Sequence, residues 1–493
     1  MRKIGFDNNK YIEMQSEKIA ERLTKFNRLY IEFGGKLFDD NHASRVLPGF
    51  EPDSKIKMLL NIKEKVEMIL VINANDVEKH KMRSDIGITY TQDLMRLIDA
   101  FKVAELSIGG VVITHFANQE EAIKLRKNLE KSHIKCAYHY KIDNYPNDIE
   151  HILSADGFGK NEYLETSKDI VVITAPGPGS GKLATCLSQM YHDSLHGIKS
   201  GYAKFETFPV WNLPLNHPVN LAYEAATANL SDVNMIDPFH LQEYGTIAIN
   251  YNRDVEAFPV LSGLLNRVIG ESIYKSPTDM GVNMVGNCIC DDEACVEASK
   301  QEIVRRYYEA LVDLRKDKID ESIIAKLELI MNKSQVSKEY RSIVGIANDL
   351  AEKTGEPVVA IELPDGQVVT GKTSKLMGAS SAALLNAVKA VSGMEDIPLL
   401  SPKIIEPIQE LKTKTLHGNN PRLHTDEVLI ALAIGSQTSD ACAKALQALE
   451  MLKYSEVHST VILSEVDVNV FKKLGMRLTM DPVYSSKKLY HKS

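Results

Sequence analysis

The chain has 493 residues, 44% hydrophobic and 25% charged, with 28 Gly, 18 Pro and one Trp. These proportions exclude collagen-like, disordered and disulfide-scaffold classes, and at about 150 residues per domain the length allows roughly three domains. With 58 Lys+Arg against 66 Asp+Glu the formal net charge is -8, which argues against a broad nucleic-acid-binding surface. Six scattered Cys read as reduced thiols. The opening MRKIGFDNNK has no apolar segment behind it, and no apolar run approaches the roughly 18 residues that span a bilayer. The expectation is a cytoplasmic protein with neither a nucleic-acid nor a membrane partner.

In chain order, residues 14–26 carry a helical pattern with Ile19, Leu23 and Phe26 on one face. The apolar run 29–33 ends at Gly34-Gly35. A helix from residue 53, a strand at 68–72, a helix at 91–104, a strand at 110–114, a charged helix at 119–131 and a strand at 136–140 follow. The run 170–174 is nearly all β-branched and stops at Ala-Pro-Gly, which makes it the strongest strand signal. Strands separated by helices of this length predict βαβ units and a large, mostly parallel, doubly wound sheet.

From Pro209 to Pro277 Asn, Pro and His become dense and periodicity fades. This reads either as functional loops on a rigid scaffold or as an irregular surface insertion. Residues 292–353 are helical and charged. The runs 358–363 and 367–370, joined by Pro364-Asp365-Gly366, predict a hairpin. A small-residue helix at 380–391, an N-cap and N1 pair at Ser401-Pro402, helices at 426–433 and 440–452 and a strand at 460–463 complete the chain. The expected organisation is an α/β domain over 1–290, a helical connector over 291–354 and a smaller C-terminal α/β domain over 355–493.

The sharpest motif is Ala175-Pro-Gly-Pro-Gly-Ser-Gly-Lys182, placed directly after the strongest strand and before the helix 183–195. Glycines let successive backbone N–H groups turn toward phosphate oxygens, the helix N-terminus adds partial positive charge, and a Lys meets a terminal phosphate. Gly177, Gly179, Ser180, Gly181 and Lys182 are the candidate phosphate ligands. The first glycine of the P-loop pattern falls on Pro176, and the hydroxyl that would bind Mg²⁺ falls on Leu183, so the phosphate site lacks a usual Mg²⁺ ligand. A Gly/Pro-rich turn that binds nothing is the competing reading. An apolar strand ending in Asp would partner such a loop; Val233-Asn-Met-Ile-Asp237 has this shape, with His240 three residues on. Lys182, Asp237 and His240 are therefore the candidate catalytic residues.

Gly366-Gln-Val-Val-Thr-Gly371-Lys372-Thr373 satisfies the P-loop pattern, yet its centre is strand-like and cannot form a cradle. Lys372 and Thr373, with Ser380 and Ser381 at a helix start, form a possible second anion site, or simply cap and pack that helix. Cys288, Cys290 and Cys295 lack a fourth ligand for zinc, His192 and His196 lack a third, and Cys186 reads as a buried helix thiol. No metal site is assigned.

The stretches Ile31-Glu-Phe-Gly-Gly-Lys-Leu-Phe-Asp-Asp40, Thr174 through Lys182, Lys204-Phe-Glu-Thr-Phe-Pro-Val-Trp-Asn-Leu-Pro214, Ser276-Pro-Thr-Asp-Met-Gly-Val-Asn283 and Gly371 through Ser381 resemble the bacterial domain-of-unknown-function family 1846. The resemblance covers nearly the whole chain. It implies a multi-domain α/β protein whose last part is similar to the cytidine-deaminase-like topology, without the zinc signature: His424-Thr-Asp-Glu427 is not H-x-E and no P-C-x-x-C is present. The family brings no activity with it. The residues lead to an enzyme that binds a nucleotide or a small phosphorylated metabolite through 175–182, expected to be a homo-oligomer. The alternative is a non-catalytic, oligomeric metabolite-binding protein.

Overall fold

The computed structural model describes residues 3–35, 37–38, 40–83, 86–230 and 232–485. The chain divides into two compact units, one of residues 4–223 and 232–296, the other of 1–3, 224–231 and 297–493.

The first unit is built on seven strands: β1 (Arg28–Phe33), β2 (Val66–Asn73), β3 (Ser107–Phe116), β4 (Cys136–Tyr140), β5 (Ile170–Thr174), β6 (Ser200–Phe205) and β7 (Gly281–Val282). Their order is β7-β6-β1-β5-β2-β3-β4, and every neighbouring pair is parallel. The expected mostly parallel α/β sheet is thus present. β5 is buried at all five positions, as a run of β-branched residues covered on both faces should be.

Two helical layers cover this sheet. On one face Tyr30, Ile69, Val71, Val112, Val171, Ile173 and Tyr202 pack with Cys186, Leu187 and Met190 of the helix that follows β5 (Lys182–Leu195) and with Phe258, Leu264 and Leu265 of a later helix (Asn252–Ile269). Alternation sends the buried Leu29, Ile31, Met68, Leu70 and Ile72 to the other face. There the helix Asn8–Leu23 contacts β1 and the helix Tyr90–Val103 contacts β2 and β3.

The layering follows from handedness. The connection from β1 to β2 crosses the sheet in one direction and that from β5 to β6 in the other; right-handed crossovers then put the two connecting segments on opposite faces. The loop after β5 therefore opens toward one face while its neighbours β1 and β2 lead to the other, which is a topological switch point.

Four details differ from expectation. The first helix starts at Asn8, because Asp7 accepts a hydrogen bond from the Lys10 N–H and caps it. The strand β6, absent from the predicted elements, lies beside β1. The segment 209–277 is largely regular, with helices Pro218–Ala226, Pro238–Tyr244, Asn252–Ile269 and Pro277–Met280 and a hairpin of Asn234–Ile236 with Ile249–Tyr251. Asp237-Pro238 and Ser276-Pro277 are N-cap and N1 pairs, and Pro259 is accommodated inside its helix. Residues 460–463 are not a strand.

The second unit has a mixed four-stranded sheet of β8 (Val358–Glu362), β9 (Val368–Lys372), β10 (Glu456–Ser459) and β11 (Arg477–Met480), ordered β9-β8-β10-β11. β8 and β9 form the expected hairpin. After β10 the Ser459 hydroxyl donates to the Val461 carbonyl and accepts from its N–H, which bends the chain out of the sheet before 460–463 can extend it. Helices Ser342–Thr354, Ala379–Val391, Thr425–Gly435 and Glu465–Lys473 complete this layer. Among the described residues no helix is long and apolar enough to cross a membrane.

Candidate functional site

The loop 175–182 occupies the switch point at the carboxyl ends of the strands. Two of its carbonyls are pulled toward the neighbouring strand ends. The Thr114 hydroxyl, at the end of β3, donates to the Ser180 carbonyl at 2.6 Å. The Asn73 amide, at the end of β2, donates to the Gly179 carbonyl at 3.3 Å. In a trans peptide the C=O and the following N–H point in opposite directions, so these two bonds turn the N–H groups of Gly181 and Ser180 away from β2 and β3. Gly179 and Gly181 have φ of +71° and +90°, a conformation that costs glycine nothing. Gly177 is required for space, since a Cβ there would lie 2.5 Å from the Tyr90 ring.

The donors of the loop are not used among the described residues. Gly181 caps the following helix without a side-chain hydrogen bond. Among the described residues the N–H groups of Gly177, Gly179, Ser180, Gly181 and Lys182 meet no acceptor. The Ser180 side chain is 4% exposed, and its hydroxyl has no partner among the described residues. A buried hydroxyl of this kind is costly unless something bonds to it, while the N–H groups of the exposed Gly179 and the half-buried Gly177, Gly181 and Lys182 lie nearer the surface.

Beside the loop stands a cluster of charges absent from the sequence-derived candidates. In the register of β1 with its two neighbours, Glu32 lies opposite Ile173 of β5 and Lys204 of β6. Lys204 Nζ is 2.6 Å from Glu206 Oε1 and 2.5 Å from Asp254 Oδ2. The buried Tyr202 donates its hydroxyl to Glu32 at 2.8 Å. Burial pushes the Glu206 carboxyl up, Lys204 opposes this and Asp254 adds to it, and the result is about 7. Burial alone would lower the Lys204 ammonium, but Glu206, Asp254 and Glu32 together outweigh it and hold Lys204 charged. Both groups are shifted upward, Glu206 chiefly because it is buried and Lys204 because three carboxylates surround one cation. The cluster also reaches the loop helix, because burial raises the Cys186 thiol, Glu32 raises it further and Lys182 opposes. Charged residues interrupting the apolar runs at Ile31-Glu32-Phe33 and Lys204-Phe205-Glu206 were the available signal.

The remaining sequence candidates sit elsewhere. Asp237 is fully buried as the N-cap of Pro238–Tyr244. Its carboxylate accepts from the N–H groups of Phe239 and His240 and from the N–H and hydroxyl of Thr278. His240 Nδ1 is 3.2 Å from Ser276 Oγ. These bonds tie two short helices together and none runs to the loop. In the second unit Ser381 is fully buried and donates to the Leu423 carbonyl, and Ser380 is buried beside it. Lys372 is exposed and lines an open cleft of about 410 Å³ and Thr373 is half-buried, whereas Ser380 and Ser381 are buried at their helix start and are not presented with Lys372 to a ligand. His192 and His196 are bonded to the carbonyls of Phe158 and His192. Cys288 and Cys295 donate to the carbonyls of Met284 and Gly5. Among the described residues no three His, Cys, Asp or Glu side chains are placed to hold a metal ion; in the charged cluster the Lys204 ammonium takes the central position.

Residues 4–335 match the family described as "Domain of unknown function DUF1846, N-terminal", and residues 339–490 match its C-terminal counterpart. The chain is 55% identical to UPF0371 proteins of Streptococcus pyogenes serotypes M5 and M1, and 54% identical to that of Streptococcus sanguinis, over 494 residues that cover all of this chain and all of each relative. Their names specify no activity. Two matching halves and full-length identity at this level place the chain within one family: it belongs to the DUF1846 proteins.

Proposed function

We propose that the first unit binds a nucleotide or a small phosphorylated metabolite, with the phosphate in the 175–182 loop. One observation carries this reading: a glycine loop at the switch point presents N–H groups and the buried Ser180 hydroxyl with no acceptor among the described residues, at the start of a 14-residue helix. The helix dipole and the Lys182 ammonium supply the matching charge. Leu183 offers no hydroxyl to a Mg²⁺ ion, so the phosphate acts here as a handle by which the rest of the ligand is positioned. The neighbouring Glu32, Lys204, Glu206 and Asp254 provide groups for proton transfer, which favours an enzyme over a purely sensing protein.

The test is calorimetric titration with inorganic phosphate and with nucleotides. Lys182→Ala should weaken binding at least about tenfold, the loss of roughly one charge-assisted hydrogen bond, while circular dichroism and melting stay unchanged. Unchanged affinity in a folded variant would overturn the assignment.

A further inference from the structure

Three features lie outside the phosphate cradle: the apolar residues Ile430 and Ile434 exposed on Thr425–Gly435, the His424–Asp467 pair, and the Lys204–Glu206–Asp254 cluster. Nothing in the structure shows what would cover the first. The second is used in tying two helix starts together. The third has the geometry of a site.

Glu206 is the last buried carboxylate at the end of β6 and is 6% exposed. One oxygen faces Lys204; the other takes no hydrogen bond from the described residues. Among the described residues the charged groups that act on it come from three elements. Lys204 lies on the preceding strand β6, Glu32 on β1 and Asp254 on the helix Asn252–Ile269, and the Tyr223 and Tyr251 hydroxyls, raised first by burial, are raised further by the charge of Glu206. Arg253, which could relieve the negative charge, is spent on Asp232 at 2.8 Å. Adjacent strands are about 4.8 Å apart, so β1 separates Glu206 from the loop by about two such spacings, the reach of a small phosphorylated molecule.

We propose that Glu206 is the proton-carrying group of this crevice: it takes up a proton when an anion occupies the loop and delivers it to an oxygen atom of the bound phosphorylated compound. The proposal rests on the loop binding anions. The physical reason is that a further negative charge arrives beside three carboxylates and one ammonium, and the cheapest response is protonation of Glu206, the most buried of the three and the one with an oxygen facing away from Lys204. In the transfer one proton leaves a Glu206 carboxyl oxygen for a ligand oxygen. The O–H electron pair stays on Glu206, and the new carboxylate is paired by Lys204. The ligand class that fits is a phosphorylated compound with a hydroxyl, carbonyl or bridging oxygen near its phosphate.

Sulfate is the probe, because it mimics phosphate and does not itself titrate near neutrality. Calorimetry of the full chain with sulfate at pH 7, in buffers of different ionisation heats, should show uptake of a fraction of a proton per sulfate. Affinity should fall toward a limit of about tenfold per pH unit above neutrality. Glu206→Gln should bind sulfate with no such uptake and a flatter pH profile. Asp254→Asn, which leaves Glu206 to Lys204 and Glu32, should reduce the uptake and serves if Glu206→Gln does not fold. His115, next to Thr114, is the histidine placed beside the loop, and His115→Gln should keep the uptake. Sulfate binding without proton uptake, or uptake that persists in Glu206→Gln, overturns the assignment of Glu206. Absence of sulfate binding overturns the loop reading, and this inference with it.

Discussion

Thr114 donates its hydroxyl hydrogen bond to the Ser180 carbonyl at 2.6 Å across 66 residues of chain, and this bond sets the direction in which the phosphate-loop peptide faces. Thr114 is buried at the end of β3, so the constraint is carried by the sheet and not by the loop. Thr114→Val keeps shape and volume but removes the donor. The expected outcome is a folded protein that binds sulfate about fivefold more weakly, the equivalent of about 1 kcal/mol for one lost hydrogen bond. Calorimetry checks it, and wild-type affinity in the valine variant would mean that the loop holds its conformation unaided.

Asp237 presents the opposite case, a candidate catalytic residue whose carboxylate is occupied by four donors. Asp237→Ala removes an N-cap worth about 1 kcal/mol and leaves the Thr278 donors without an acceptor, at about 1–3 kcal/mol. Thermal melting should therefore drop by several degrees while sulfate affinity stays at the wild-type value. A variant that melts normally and loses ligand binding would return Asp237 to the site.

His424 and Asp467 make the second unit pH-sensitive. His424 Nδ1 is 3.1 Å from Asp467 Oδ2. Burial alone would raise the Asp467 carboxyl, but hydrogen bonds from His424, Thr425 and Ser464 outweigh it and hold it at about 2. The hydrogen bond to Asp467 raises His424 against the effect of burial. A depressed carboxyl contributes stability above its ordinary range, lost as pH falls toward 2. A raised imidazole contributes stability below its ordinary range, lost as pH climbs through its folded value. The pair is thus most stabilising between about pH 4 and 6.5. Melting temperature should fall between pH 5.5 and 8.5 more steeply in the wild type than in Asp467→Asn; identical slopes would show that the pair is not coupled to folding.

The N-terminal strands and the glycine loop were legible because their signals are local. β-branched runs such as Ile170–Thr174 and the Gly-x-Gly-x-Gly-Lys spacing that ends at Lys182 need no distant partner to be recognised. The segment 209–277 was not legible as helices, since Pro218–Ala226 and Pro238–Tyr244 are short and Pro259 interrupts the pattern of the 18-residue helix Asn252–Ile269. Residues 460–463 carry strand-like composition, but a side-chain to backbone bond at Ser459 decides where the sheet ends.

The sequence by itself determined the α/β class, the parallel sheet, the C-terminal hairpin and the chemistry available in 175–182, because periodicity and residue type act over a few neighbours. Only the tertiary structure decided that β5 inserts between β1 and β2, that Thr114 and Asn73 orient the loop, and that Glu32, Lys204, Glu206 and Asp254 meet beside it. Those four residues are separated by up to 222 positions (254 minus 32), and strand register together with the packing of the helix Asn252–Ile269 brings them together. Their shared charge is a property of the carboxyl ends of the folded strands, where burial makes one ammonium and three carboxylates answer to one another.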